Sequence, residues 1–227
     1  YAPVDYLRKI FTEAITHPDI VALSIGTRPD CLPDDVLDLL SSLNEIKPVT
    51  IELGLQTIHE KTAAFIRRGY ALPCFEEAVQ KLRSCGISVV VHTILGLPGE
   101  TEEEFQQTLD FCERVGFSRL HVFPYSPREG TPAATMEGQV DEAVKAQRVH
   151  RLIALGDELS RRYREQFLGH TVPVLLEEAL PDGGTEGYTP EYIHVCAQDG
   201  RPGALALVRL ETLTEEGMAG TVVEYLP

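Results

Sequence analysis

The sequence predicts an α/β domain, in the form of a partial (β/α) barrel, followed by a small all-β barrel. Three observations carry this. Residues 1–125 alternate helical and extended patterns, as parallel strands with helical crossovers do. A Gly-, Pro-, Ser- and Thr-rich stretch from Ser126 to Gln139 then breaks the pattern. Beyond Gly169, helical periodicity gives way to short strands separated by turn residues.

The elements follow in order. Val4, Leu7, Phe11 and Ala14 fall on one helical face, and Ile20–Ile25 is a short β-rich run. Pro33 suits a helix start before Val36, Leu37, Leu39, Leu40 and Leu43. Val49–Leu55 reads as a strand and Ile58–Arg67 as a helix. Phe75, Ala78, Val79 and Leu82 mark a further helix, closed by Gly86 as its C-terminal cap. Ile87–Leu95 is continuous and β-branched, the pattern of a strand buried on both faces. Thr101 and Glu104 form a capping box, and Phe105, Leu109, Cys112 and Val115 give the next helix its inner face. Arg119–Phe123 reads as another strand. Asp141–Phe167 is one long helix with a stripe of Leu152, Leu155, Leu159 and Tyr163. Strands are expected at Val172–Leu176, Tyr192–Val195, Ala204–Leu210 and Gly220–Tyr225. The organisation expected is therefore residues 1–138, a connecting helix over 139–168, and a barrel over 169–227.

Composition bounds the function. Of 227 residues, 43% are apolar and 24% charged, which excludes a disordered or low-complexity chain. The longest apolar stretch, Ile87–Leu97, is interrupted by Ser88, His92, Thr93 and Gly96, so a membrane span is not expected. The chain opens on Tyr1 without Met or signal peptide, and an internal fragment is expected. Thirty-five acids against twenty bases give a net charge of −15, which repels nucleic acid and anionic membranes as a whole; no DNA partner is expected. Residues 171–227 carry ten acids and two bases, net −8, whereas the preceding helix holds Lys145, Arg148, Arg151, Arg161, Arg162 and Arg164. Those six are the candidate RNA contacts; on charge alone, pairing with Asp157, Glu158 and Glu165 is an equal alternative. Five widely spaced cysteines, an odd number, argue for a reducing, cytoplasmic setting. No C-x-x-C or C-x-x-x-C-x-x-C occurs, so no metal ligand set is expected by motif.

Three clusters stand at the carboxyl ends of successive predicted strands, where α/β folds bind ligands. They are Ser24–Asp30 with Gly26 and Arg28, Glu52–Thr57 with Arg67–Gly69 one helix on, and Ile94–Thr101 with Gly96, Gly99 and Glu100. Singly, each has a structural reading: a rim ion pair, a helix cap, a tight turn. Together they should converge on one pocket. His92, in the middle of a strand, is more often a satisfied core residue than a ligand.

The strings LSIGTRPDCLPDDVLDLL, IELGLQTIHEKTAAFIRRGY and HTILGLPGETEEEF make residues 1 to about 100 resemble radical S-adenosylmethionine (SAM) proteins of an uncharacterised branch near the elongator and coproporphyrinogen-oxidase types. From about residue 117, LHVFPYSPREGTPAATMEGQV, VHRLIALGDELSRRYREQF and GYTPEYIHV resemble the threonylcarbamoyladenosine-type tRNA methylthiotransferases, whose last barrel is an RNA-binding TRAM domain. The resemblance implies SAM across the strand ends, with Gln56 and Arg68 as contacts, His92 near the ribose and Ile94 near the adenine. Gly26 stands where many relatives place a Glu. It implies a tRNA substrate with sulfur inserted at C2 of a modified adenosine, driven by reductive cleavage of SAM. The family's three-cysteine [4Fe–4S] loop and the strand before it are absent, so the chain reads as the distal part of such an enzyme, with an open sheet edge through which it would self-associate. Two other readings are a radical SAM enzyme of unknown substrate and a non-catalytic RNA-binding module.

Overall fold

The computed structural model describes every residue except Tyr1, Pro124, Ser126, Pro127, Asp182 and Pro227, together with the side chain of Ala133. Ser126, where the expected loop begins, and Asp182, one of the barrel acids, thus lie outside the described residues. The chain forms two compact units, residues 1–108 with 124–145, and residues 109–123 with 146–227.

The first unit is built on three parallel strands in the order β1 (Leu23–Thr27), β2 (Val49–Gln56), β3 (Ser88–Thr93). Helix α1 (Val4–Thr16) precedes them, and α2 (Asp34–Asn44), α3 (Glu60–Phe65) and α4 (Leu72–Ser84) connect them. β2 alternates strictly: Val49, Ile51, Leu53 and Leu55 are buried, while Thr50, Glu52, Gly54 and Gln56 are half-buried. A strand with one buried face needs one helical layer, and α2 and α4 supply it with Val36, Leu40, Leu43, Phe75 and Leu82. The opposite face of the sheet is polar, as in a barrel that is only partly closed.

Two strands differ from expectation. β3 was expected to be buried on both faces, yet Ser88, Val90, His92 and Thr93 are exposed. It pairs only with β2 among the described residues, and its even-numbered side chains leave the helical layer. Arg119–Phe123 forms no strand. Within the second unit, Leu120 instead lies against Gly156 of α6 (Glu142–Glu165), where an added Cβ would come 3.1 Å from Leu120 Cβ. The capping box closes as the sequence predicts: Thr101 N–H donates to Glu104 at 2.9 Å and Glu104 N–H to the Thr101 hydroxyl at 3.1 Å, opening α5 (Glu102–Val115). Gly86, at φ +68°, follows α4, and Ile87 N–H reaches back to Leu82 O at 3.0 Å.

The second unit holds most of α6 (Glu142–Glu165) and a closed five-stranded barrel in the order β4-β5-β6-β8-β7. The strands are β4 (Thr171–Ala179), β5 (Thr185–Tyr188), β6 (His194–Ala197), β7 (Ala204–Leu213) and β8 (Met218–Tyr225). Val174, Leu176, Val195, Val208, Leu210 and Met218 fill it. β5 has no sequence counterpart: Gly183, Gly184, Gly187 and Pro190 give its neighbourhood the composition of a turn. Closure removes the exposed edges that an open sheet leaves.

Candidate functional site

The polar face of the first unit brings together residues from all three strands. Register pairs Gly26 with Glu52 and Gly54 with His92, so alternate residues Ser24, Gly26, Glu52, Gly54 and His92 share that face. Glu52 stands at its centre. Its carboxylate accepts from the Ser24 hydroxyl at 2.8 Å and lies 3.1 Å from His92 Nε2. His92 is therefore an exposed group in contact with a carboxylate rather than a core histidine. The sequence singled out His92 but gave Glu52 no role; the period-2 alternation of β2 was the signal for it.

Gln56 ends β2 in the left-handed region, at φ +67°. A side chain there costs roughly 1–3 kcal/mol and persists only where its surroundings hold it. The hold is visible: Ile94 N–H donates to Gln56 O at 2.7 Å, and the Gln56 amide folds over Gly54. A Cβ on Gly54 would come within 2.7 Å of Gln56 Nε2. Gly54 thus leaves the space that the amide occupies. Ile94 sits beside this point, half-exposed.

Arg68 lies beneath, 5% exposed. Its Nε donates to Tyr70 O at 2.9 Å, Nη1 to Thr57 O at 2.6 Å and Leu55 O at 3.3 Å, and Nη2 to Glu60 at 2.9 Å. All three nitrogens are committed to protein acceptors on either side of Gln56. Glu60 also accepts from Leu72 N–H; this bond first, then Arg68, holds its carboxyl below the ordinary carboxylate range. The Tyr70 ring lies 5.4 Å from the Arg28 guanidinium and 4.8 Å from that of Arg68. Burial pushes the Tyr70 phenol up despite those cations, and its hydroxyl donates to Gly54 O. Arg28 is held bidentate by Asp30 at 2.9 and 2.8 Å.

The turn after β3 is closed on itself. Gly96 and Gly99 have φ of +71° and +82°, the Glu100 carboxylate accepts from Gly96 N–H, and Gly99 N–H donates to Gly138 O at 2.8 Å. Lys145 covers Gly96, its Cγ 3.7 Å from where a Cβ would lie, and pairs with Glu142 at 2.7 Å. A cavity of about 350 Å³ opens on the α1 side between Leu7, Phe11, Ile25, Gly26, Cys31 and Val36. Gly26, Thr27 and Asp30 of the first predicted cluster line it. The polar face brings Gly26, Glu52, Gly54 and His92 together beside Gln56, while Arg68 is buried beneath and the Gly96–Glu100 turn is closed on itself.

The six cations of α6 do not form one exposed face. Lys145, Arg148 and Arg164 are buried. Arg164 Nη1 donates to Gly217 O at 2.6 Å and Thr214 O at 3.1 Å, and Nη2 to Glu215 O at 3.3 Å. Arg161 and Arg162 are half-exposed and share Glu158 at 2.8 Å each, with Glu165 and Glu113 as further partners. Arg161 first, then Arg162, lowers the Glu158 carboxyl to about 2. Arg151 is half-buried.

Residues 1–112 match the family model of the radical SAM superfamily. The chain is 41% identical over 173 residues to a threonylcarbamoyladenosine tRNA methylthiotransferase of Bacillus subtilis, covering 72% of this chain and 38% of that protein. It is 36% identical over 208 residues to a ribosomal protein uS12 methylthiotransferase of Desulfitobacterium hafniense, covering 86% of this chain and 46% of that protein. The chain thus spans less than half the length of these curated relatives. Among solved structures, an N-terminally deleted Elp3 of Methanocaldococcus infernus matches with a TM-score of 0.52 at 19% identity, over 91% of this chain and 60% of the other, a likeness of fold.

The superfamily implies SAM and an iron–sulfur cluster. The donor set fits the first: hydroxyl, carboxylate, imidazole and amide groups converge on one accessible face, where Gly54 lets the Gln56 amide lie against the sheet. It does not fit the second. A cluster needs several thiolates together, and among the described residues the one group of three clustered ligand-type side chains contains a single cysteine. Cys112 is a core thiol pushed up to about 11 by burial.

Proposed function

We propose that this chain, whose residues 1–112 match the radical SAM family model, is the SAM-binding and substrate-binding part of a methylthiotransferase that modifies tRNA, the cluster ligands lying elsewhere in the whole protein. The observation that carries this reading is the Ser24–Glu52–His92 row beside Gln56, on the polar face of a parallel sheet. His92 and Glu52 suit ribose hydroxyls, the Gln56 amide suits the polar end of a nucleoside, and Ile94 offers an apolar contact for adenine. Arg68 acts as a positioning residue, fixing the carbonyls on both sides of Gln56. Gly26 leaves open space at the face, with nothing within 4 Å of where its Cβ would be. The Gly96–Glu100 turn keeps backbone, not bulk, at the strand ends. SAM bound here would supply the reacting group; this chain's residues would orient its nucleoside and accept hydrogen bonds from its ribose hydroxyls.

Residues 169–227 are read as a TRAM-like barrel. Since its charge repels phosphate, tRNA contact falls to the half-exposed Arg161 and Arg162 with Arg151. A protein substrate is the second reading, favoured by the net −8 of residues 171–227. Calorimetric titration with SAM tests the first step. Weak binding is expected, reduced by Gln56→Ala and by His92→Ala, each worth about 0.5–1.5 kcal/mol or up to roughly tenfold. Binding that neither substitution moves would contradict the site. For RNA, Arg161→Gln with Arg162→Gln should lower both tRNA affinity and its salt slope, and unchanged values would leave the protein-substrate reading.

A further inference from the structure

The outer face of the barrel carries three different ligand types side by side. Glu186 on β5 is the direct antiparallel partner of Cys196 on β6, and His194 stands two residues before Cys196. Residues two apart on a strand share a face, so all three project away from the buried Val195 and Ala197. One donor atom from each, a carboxylate oxygen, a ring nitrogen and a sulfur, lies within 4.8 Å of the other two. His194 Nε2 is 3.1 Å from Glu186 Oε2, and all three side chains are half-buried.

The scaffold under them is firm. β6 lies between β5 and β8 in a closed barrel. Gly217 passes so close that a Cβ on it would come 2.3 Å from the His194 carbonyl oxygen. The backbone positions of His194 and Cys196 are therefore fixed, and only side-chain rotation remains.

We propose that Glu186, His194 and Cys196 form a binding site for a zinc-class divalent ion, with a fourth position open to water or a ligand. Zinc takes nitrogen, oxygen and sulfur donors at about 2.0–2.3 Å in a tetrahedron, so the three donors close by roughly an ångström on binding. The Glu186–His194 contact gives way to one bond from each group to the ion, and the Cys196 thiol proton passes to solvent. A mixed set with sulfur and imidazole selects zinc-class ions over calcium or magnesium, which take oxygen.

The test uses the tag-free, metal-stripped full chain. Zn²⁺ is titrated in competition with a chromophoric chelator, and Co²⁺ is followed by absorption. The expected result is one ion per chain, with a cobalt–thiolate charge-transfer band that Cys196→Ser abolishes and Cys74→Ser leaves intact. His194→Gln and Cys196→Ser should each weaken zinc affinity more than tenfold, since even changes behind the ligands cost about 10–100-fold. Zinc should also raise the melting temperature of the wild-type chain but not of Cys196→Ser. Absence of zinc binding, or stoichiometric binding that both substitutions leave unchanged, would overturn the site.

Discussion

Arg68 in one unit and Arg164 in the other are both buried against backbone carbonyls, and the two differ in what they hold. In the sheet unit, Arg68 ties Leu55, Thr57 and Tyr70 together around the strained Gln56, with its charge answered by the accessible Glu60. In the barrel unit, Arg164 ties Thr214, Glu215 and Gly217, the turn between β7 and β8. The first clamp shapes an open, polar surface; the second closes a shell around an apolar core. A buried guanidinium can thus serve a site or a scaffold, and the residues flanking its acceptors decide which.

Breaking the clamps separates the two. Arg164→Met removes three hydrogen bonds to the turn between β7 and β8, although Gly217 O keeps its bond from Thr214 N–H, and should lower barrel stability by about 1–3 kcal/mol, read as lost hydrogen-exchange protection in β7 and β8. Arg68→Met should cost a similar amount in the sheet unit, with protection lost around residues 54–72 and β7 and β8 spared. Equal loss in both units from either substitution would mean that the two clamps are not local.

The edges sharpen the contrast. The barrel is closed, whereas β1 ends the three-stranded sheet with one side unpaired among the described residues. Val21, beside that edge, is 82% exposed. Sedimentation should show concentration-dependent self-association that Val21→Lys reduces several-fold, as a charge at a sheet edge does. A monomer at high concentration would remove the edge from the account.

The smallest effect is electrostatic. Glu158 is depressed to about 2 by Arg161 and Arg162. A carboxyl lowered on folding stabilises above its unfolded value, near 4.5, and that contribution disappears as pH falls toward 2. Glu158→Gln should therefore narrow the difference in melting temperature between pH 6 and pH 3, slightly because the group is exposed. An unchanged difference would mean that the ion pairs contribute nothing to stability.

Local patterns were legible in the sequence where they are set locally. The stripe of α6, the capping box of Thr101 and Glu104 and the glycine after α4 all depend on neighbours within one or two turns. β5 was not, because a four-residue strand rich in turn formers is created by its partners β4 and β6. Arg119–Phe123 has strand composition but finds no ladder. The site shows the same division. Gly26 and Gln56 could be placed at strand ends by spacing, whereas His92 read as a mid-strand residue. The acceptors of Arg68 and Arg164 could not: they lie 11, 13, 50 and 53 residues away.

The central claim, that SAM binds the polar face of the three-stranded sheet, is tested most directly by amide chemical-shift mapping of the full chain during titration with SAM. The account predicts shifts concentrated at Ser24, Gly26, Glu52, Gly54, Gln56, His92 and Ile94, with the barrel amides still. Shifts confined to the barrel, or to the apolar cavity around Phe11 and Cys31, would contradict it.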